Sequence, residues 1–292
     1  MSADFLPVEL RRVLGDPGLR ITAVHRAGGG CIHHAARVST TRGDVFAKWN
    51  DDCPDDLFLR EADGLRELRR AESGLVVPEV LEAAGPAEDR PAFILMEYLP
   101  PAPGRGSNDV ALGQGLATLH RRSAPEFGFP VVSYCGPTLQ DNTGETTWAG
   151  FYAERRLLPL TKRLQEGGLL GAPECRLLAS LVGRIPSLLP AGSLPSLIHG
   201  DLWSGNVLAS ERGPALVDPA CAYADREMEF GITTLFGGFS DRFFAAYEEA
   251  WPLAAEWRER NPLYQLYHLL NHHVIFGGRY GAQALAVARR YV

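Results

Sequence analysis

The segment His199-Gly200-Asp201-Leu202-Trp203-Ser204-Gly205-Asn206, followed by Leu216-Val217-Asp218-Pro219, sets an acid, an amide and a second acid at fixed intervals. Asn206 stands 5 positions after Asp201, and Asp218 stands 17 after it. Apolar stretches around the turn residues predict a hairpin over 206–218 that holds these side chains at neighbouring strand ends. Moving a phosphoryl group onto an alcohol needs a carboxylate that orients the hydroxyl and takes its proton, and Asp201 fits that task. It also needs oxygen ligands for a Mg²⁺ ion bridging the phosphates, which Asn206 and Asp218 offer. An ordinary turn-rich hairpin would use the same residue types, but not in this order and spacing. His199 suits a brace for the loop rather than a proton shuttle. Position 200 is glycine where regulated protein kinases carry arginine, so constitutive activity is the expectation.

A second group lies upstream. Lys48 falls in Val45-Phe46-Ala47-Lys48-Trp49, where the period of two puts it on the face opposite Ala47 and Trp49. Glu61, 13 residues later, interrupts the apolar helical stripe Leu57, Phe58, Leu65, Leu68. A buried lysine and a buried glutamate relieve each other's desolvation, and a pair in this order is the one that grips the α/β-phosphates of ATP. Gly28-Gly29-Gly30, with Cys31 after it, sits between two predicted strands. Backbone amides there can approach phosphates without Cβ obstruction, although three glycines also make a plain tight turn. The pattern is not G-x4-G-K-[ST], so it is no Walker A loop. Glu97-Tyr98-Leu99 ends an apolar run where backbone groups would meet adenine.

The elements that must position these groups fall into two parts. Residues 1–99 read as a small β-rich nucleotide-binding lobe: strands at 19–26, 35–39 and 45–49, a helix at 55–70 and a buried strand at 92–99. The stretch Pro100-Pro101-Ala102-Pro103-Gly104 continues neither strand nor helix and marks the boundary. Residues 100–292 read as a larger, mostly helical lobe carrying the catalytic loop and metal site. Its helices are expected at 109–120, 148–166, 174–188, 226–236, 241–251, 263–276 and 282–291, with a loop at 125–147. The predicted class is α+β, a protein-kinase-like two-lobed fold.

Composition excludes several alternatives. A net charge of −6 argues against a nucleic-acid surface, and the basic pairs Arg11-Arg12 and Arg289-Arg290 read as solvated helix faces. No stretch approaches the roughly 18–20 apolar residues of a membrane span. The N-terminus lacks an apolar signal region. Five scattered cysteines show no metal spacing and suit reduced thiols in the cytoplasm.

Beyond chemistry, the chain closely resembles the fructosamine kinases (ketosamine-3-kinases) along nearly its whole length. The matching pieces include Gly29-Gly30-Cys31-Ile32, Leu116-Ala117-Thr118-Leu119-His120 and Cys135-Gly136-Pro137-Thr138-Leu139-Gln140-Asp141-Asn142. The most specific are HGDLWSGN (199–206), DPACAYADRE (218–227), LFGGF (235–239) and LYQLYHLLNH (263–272). Ala224 and Glu229-Phe230 depart from the family's usual Gly and Asp-Leu. The resemblance implies phosphorylation, with ATP and Mg²⁺, of the 3-hydroxyl of a small-molecule or protein-linked ketosamine of the fructosamine or ribulosamine type. That step labilises the sugar–amine link, a deglycation. A kinase of another small alcohol (aminoglycoside, choline or free sugar) shares all the nucleotide residues, and a nucleotide-binding pseudokinase would lack at least one of them.

Several residues carry two readings. Trp203, two positions after Asp201, stacks on the acceptor or supports the loop from the core. Asp225, Arg226 and Glu227 cap a helix in a salt-bridge network, or Asp225 and Arg226 touch the acceptor. His268 and His272, four apart, lack a third metal ligand in sequence and suit structural or pocket-lining places, with His272 assigned to the acceptor pocket. His33-His34 suit a strand surface better than a phosphate site. Cys31 is either a tolerated turn residue or an oxidisable thiol, so the chain is expected as a monomer or a weak, redox-linked dimer.

Overall fold

The computed structural model describes residues 3–28, 33–102 and 109–292. Gly29, Gly30 and Cys31 therefore lie outside the described residues, and with them the expectations placed on the glycine turn and its thiol.

After α1 (Leu6–Val13), the strands β1 (Ile21–Arg26), β2 (His34–Thr40) and β3 (Gly43–Asn50) lead into α2 (Leu57–Arg70), β4 (Val80–Ala84) and β5 (Ala92–Glu97). The strands form one antiparallel sheet in the order β1-β2-β3-β5-β4. The register pairs Lys48 with Ala35 on one side and Ile94 on the other. Alternation then sorts the side chains of β3. Val45, Ala47 and Trp49 pack under α1 with Phe5, Leu6 and Leu10, whereas Phe46 and Lys48 face the cleft. α2 covers that other face, and its buried stripe of Leu57, Phe58, Glu61, Ala62, Leu65 and Leu68 brings Glu61 inward.

The remainder is mainly helical. α3 (Asp109–His120) precedes a short hairpin of β6 (Ser133–Cys135) and β7 (Thr138–Gln140), then come α4 (Trp148–Phe151), α5 (Leu158–Glu166) and α6 (Ala172–Leu188). β8 (Ser196–Ile198) leads into the loop at 199–206, the hairpin β9 (Val207–Ser210) with β10 (Gly213–Leu216), and β11 (Ala222–Ala224), which pairs back onto β8. α7 (Glu227–Phe236), α8 (Asp241–Ala250), α9 (Trp257–Phe276) and α10 (Tyr280–Tyr291) complete the chain. The pairing of β8 with β11 clamps both ends of the 199–218 segment, so its polar side chains are held at adjoining positions.

β4, β8 and β11 have no counterpart in the sequence expectation, and three further segments differ from it. The 148–166 helix is interrupted by a π turn at Tyr152–Leu157, directly before Pro159. A proline has no N–H to give, and the wider turn carries the chain past that missing bond. α9 starts at Trp257 and includes Pro262, six residues before the expected start. The loop at 125–147 holds the β6–β7 hairpin, too short to show a period.

Candidate active site

A cleft of about 730 Å³ opens between the sheet and the helical part. That is the size of an ordinary small-molecule or cofactor site. Its walls carry Gly28, Lys48, Glu61, Glu97, Tyr98, Leu99, Asp201, Trp203, Asn206, Asp218 and His272. Asp225 and Arg226 are not among the lining residues.

At the inner end, Lys48 Nζ donates to Glu61 Oε1 at 2.8 Å and to Asp218 Oδ1 at 2.7 Å. Burial opposes the ammonium's charge, but the two carboxylates outweigh it and hold the Lys48 pKa above its ordinary value. Burial likewise raises Glu61, while at Asp218 the lysine overcomes burial and keeps the carboxyl below its usual range. One cation between two acids leaves this end of the cleft short of positive charge. Asp218 adopts φ +57°, a left-handed conformation that a non-glycine residue takes only under constraint.

Asp201 lies beside this group. Asn206 Nδ2 donates to the Asp201 carbonyl at 2.9 Å, to Asp201 Oδ2 at 3.2 Å and to the Asp218 carbonyl at 3.4 Å. With its nitrogen so engaged, the amide offers its oxygen to other partners. Burial, then the charges of Asp218 and Glu229, push the Asp201 pKa up to about 7. The thiol of Cys135 also reaches Asp201, and burial drives the pKa of that thiol well above its ordinary value.

The loop itself is fixed from below. His199 is fully buried; its Nε2 lies 2.9 Å from the Val217 carbonyl and its Nδ1 accepts the Asp201 N–H at 3.3 Å. Both contacts suit one neutral tautomer, and burial lowers the pKa of the ring accordingly. Glu229 accepts the backbone amides of His199 and Gly200 with its two carboxylate oxygens. Gly200 has φ +82°, and a Cβ there would stand 2.1 Å from the Ala220 carbonyl oxygen. Glycine is thus required by a close backbone approach.

The outer wall is aromatic. Trp203 is 38% exposed and its ring folds over Gly205, so it is a cleft side chain rather than a core one. His272 donates from Nδ1 to the His268 carbonyl and meets the rings of Phe236, Phe276 and Tyr280. His33 is half-buried in the cleft, 3.0 Å from Asn50 Nδ2 and edge-on to Phe58; burial, then Lys48, lowers its pKa to about 4. His34 stacks on Trp49 outside it. Asp225 instead accepts the Glu227 N–H at the start of α7 and the Ser193 hydroxyl. Arg226 stacks on Trp251 and donates to Tyr247 and to the Trp251 and Pro252 carbonyls, and Glu227 pairs with Arg260. These contacts form the hydrogen-bond and salt-bridge network at the start of α7 that is one of the two sequence readings.

Two residues escaped the sequence reading. Asn271 lines the cleft, holds the Cys135 carbonyl through Nδ2, and leaves a buried Oδ1 with no partner among the described residues. Arg156, fully buried, binds the Asp141 carbonyl and Asn142 Oδ1 and so pins the β6–β7 hairpin that presents Cys135. The family segments 135–142 and 263–272 contained the signal for the first; for the second, the adjacent Arg155-Arg156 pair gave no sign of which guanidinium is buried.

The sheet, the helix facing it and the loop at 199–218 define a protein-kinase-like phosphotransferase fold, seen also at TM-score 0.64 and 16% identity in an aminoglycoside phosphotransferase, a likeness of fold alone. The chain belongs to the fructosamine kinase family, whose profile matches residues 9–292. It is 38% identical over 268 residues to a probable ketoamine kinase of Vibrio parahaemolyticus, covering 91% of each chain. It is 33% identical over 279 residues to the chloroplastic protein-ribulosamine 3-kinase of Arabidopsis thaliana, covering 94% of this chain and 83% of that one. The crystal structure of a candidate fructosamine-3-kinase from Thermobifida fusca superposes with TM-score 0.83 at 37% identity, over 95% and 96% of the two chains. The chain is thus an ATP-using phosphotransferase with an alcohol acceptor. No helix among the described residues is long and apolar enough to cross a membrane.

Proposed function

We propose that this enzyme phosphorylates the 3-hydroxyl of ketosamines, with Asp201 as the base. The observation that carries the reading is the convergence at one end of the cleft of Asp201, Asn206, Asp218 and Lys48. Mg²⁺ bound there would neutralise phosphate charge; the excess of carboxylate over ammonium and the free amide oxygen of Asn206 suit that hard cation. Lys48, held by Glu61, would meet the α/β-phosphates, with Gly28 on the cleft wall beside them. Backbone groups of Glu97, Tyr98 and Leu99 take the adenine. Asp201 orients the acceptor hydroxyl and accepts its proton.

The outer wall favours a ketosamine over an aminoglycoside. A polycationic acceptor needs several free carboxylates. Here Glu61 and Asp218 share Lys48, Glu97 pairs with Arg212 at 2.9 Å, and the acceptor side offers Trp203, Phe236, His272, Phe276 and Tyr280. Such faces stack on the apolar side of a sugar or on its amine carrier. Names of relatives point the same way, ketoamine for one and protein-bound ribulosamine for another. The unpaired Cys53, Cys135, Cys175 and Cys221 suit a reducing cytoplasm.

ADP release measured across synthetic ketosamines, free sugars and aminoglycosides tests the acceptor. Asp201→Asn tests the base: kcat should fall by about 10²-fold or more while ATP affinity stays. Near-normal turnover in that variant removes Asp201 from the role.

A further inference from the structure

Behind the base Asp201 lie two side chains, Cys135 and His268, that the phosphoryl transfer does not use. Cys135 Sγ, a carboxylate oxygen of Asp201 and a ring nitrogen of His268 all lie within 4.8 Å of one another. His268 is 1% exposed, and neither of its ring nitrogens has a hydrogen-bond partner among the described residues. Burial keeps that ring neutral, with a pKa of about 3, so a nitrogen lone pair is available at any physiological pH. The elements that carry the three groups are tied together: Asn271 of α9 holds the Cys135 carbonyl, and Gln140 of β7 donates to Tyr267 of α9.

We propose that Cys135, Asp201 and His268 form a binding site for a thiophilic divalent cation of the Zn²⁺ type, and that its occupation blocks phosphoryl transfer. One sulfur, one nitrogen and one oxygen ligand is a borderline-soft set that prefers Zn²⁺ to Mg²⁺. It thereby differs from the oxygen-only set of Asn206 and Asp218. Tetrahedral Zn²⁺ places such ligand atoms roughly 3.3–3.6 Å apart, so the three groups need to close by about 1.5 Å or less through side-chain rotation. Cys135 and Asp201 border the cleft, which gives the ion an entry path and leaves the fourth position to water. The buried guanidinium of Arg156 acts on both Cys135 and His268 and opposes a second cation. Release of the thiol proton to solvent on binding supplies the compensating negative charge. A carboxylate engaged by the ion neither orients a hydroxyl nor accepts its proton. The inhibition rests on the reading of Asp201 as the base; the binding does not.

Co²⁺ is the probe for binding, since a cobalt–thiolate bond absorbs in the near ultraviolet and tetrahedral cobalt has strong visible bands. The full chain without nucleotide should take up one such Co²⁺, displaced by Zn²⁺. The thiolate band should vanish in Cys135→Ser, and affinity should fall tenfold or more in His268→Gln, with circular dichroism confirming that both variants fold. It should persist in Cys31→Ser and in Asp218→Asn, which separates the site from the glycine turn and from the Mg²⁺ ligands. Zn²⁺ should inhibit over the same concentrations, competitively with the acceptor and reversibly with a chelator. The ratio of activities with and without Zn²⁺ should rise toward one in Cys135→Ser. Absence of a thiolate band at saturating Co²⁺, or its survival in Cys135→Ser, overturns the site. A thiolate-bound ion that leaves turnover intact overturns the inhibition, and the kcat of Asp201→Asn tells separately whether Asp201 is the base.

Discussion

Lys48 of β3 holds the carboxylate of Asp218, 170 residues further along the chain, at 2.7 Å, and shares the same ammonium with Glu61. Removing one partner from a buried ion pair leaves an uncompensated charge, at a cost of about 3–5 kcal/mol. Lys48→Met should therefore destabilise the protein by an amount of that order and abolish turnover together. In the double variant Lys48→Met with Glu61→Leu, urea denaturation should show most of the stability regained while activity stays lost. Recovery of activity in the double variant would mean that Lys48 serves the fold and not the phosphates.

Gly200 gives a sharper separation of geometry from stability. A methyl group 2.1 Å from the Ala220 carbonyl must push the loop away, and Asp201 is the next residue. A displacement near 1 Å at a reacting group costs on the order of 10²-fold in rate. Gly200→Ala should lower kcat by at least that factor. Gly183, exposed within α6 with open space around it, is the control. Gly183→Ala should stabilise by about 0.5–1 kcal/mol with unchanged kinetics.

On the acceptor side, Trp203→Ala and Asn271→Ala should each raise KM for the ketosamine severalfold while leaving KM for ATP in place. Steady-state kinetics with both substrates varied makes the comparison. Equal shifts in both constants would place these residues in the frame of the cleft instead of against the acceptor.

His120 supplies a pH test. It is fully buried, with Nδ1 2.8 Å from the Tyr247 hydroxyl, and burial lowers its pKa from the ordinary 6.5. As pH falls below about 6.5 the unfolded chain takes up a proton that the folded chain refuses, so stability present above that pH declines toward the folded-state pKa. Each such imidazole contributes a slope of up to about 1.4 kcal/mol per pH unit, and His199 is lowered by burial in the same sense. His120→Gln should flatten the plot of unfolding free energy between pH 7.5 and pH 5.5 by about one proton. An unchanged slope would locate the proton uptake elsewhere.

The strands that carry Lys48 and the loop that carries Asp201 were legible because period and motif coincide there. β3 sets one lysine in an apolar run, α2 shows one acid on an apolar stripe, and the spacing of Asp201, Asn206 and Asp218 has few other uses. β4 was not legible: Val80–Ala84 is half-buried throughout, so no alternation marks it. Pro262 concealed the first turns of α9, since a proline usually ends a helix. The Asp225 cap on the Glu227 N–H is local, but the stacking of Arg226 on Trp251 joins residues 25 positions apart, and no local pattern encodes it. The same holds for Asn271 and Arg156, whose partners come from another segment of the chain.

The helix α2 is bound to the helical part as firmly as to its own sheet. Tyr134 donates to Asp56 at 2.7 Å, Tyr223 donates to Glu67 at 2.8 Å, and Gly64 leaves only 3.1 Å between a notional Cβ and Pro219. One apolar cluster runs through Leu65, Ile94 and Met96 on one side and Leu116, Leu202, Phe230 and Phe243 on the other. Melting the sheet would strip that cluster from the helices, and melting the helices would expose α2. The chain should then unfold in a single calorimetric step, with its measured enthalpy equal to the van't Hoff value, even though its cleft divides it in outline.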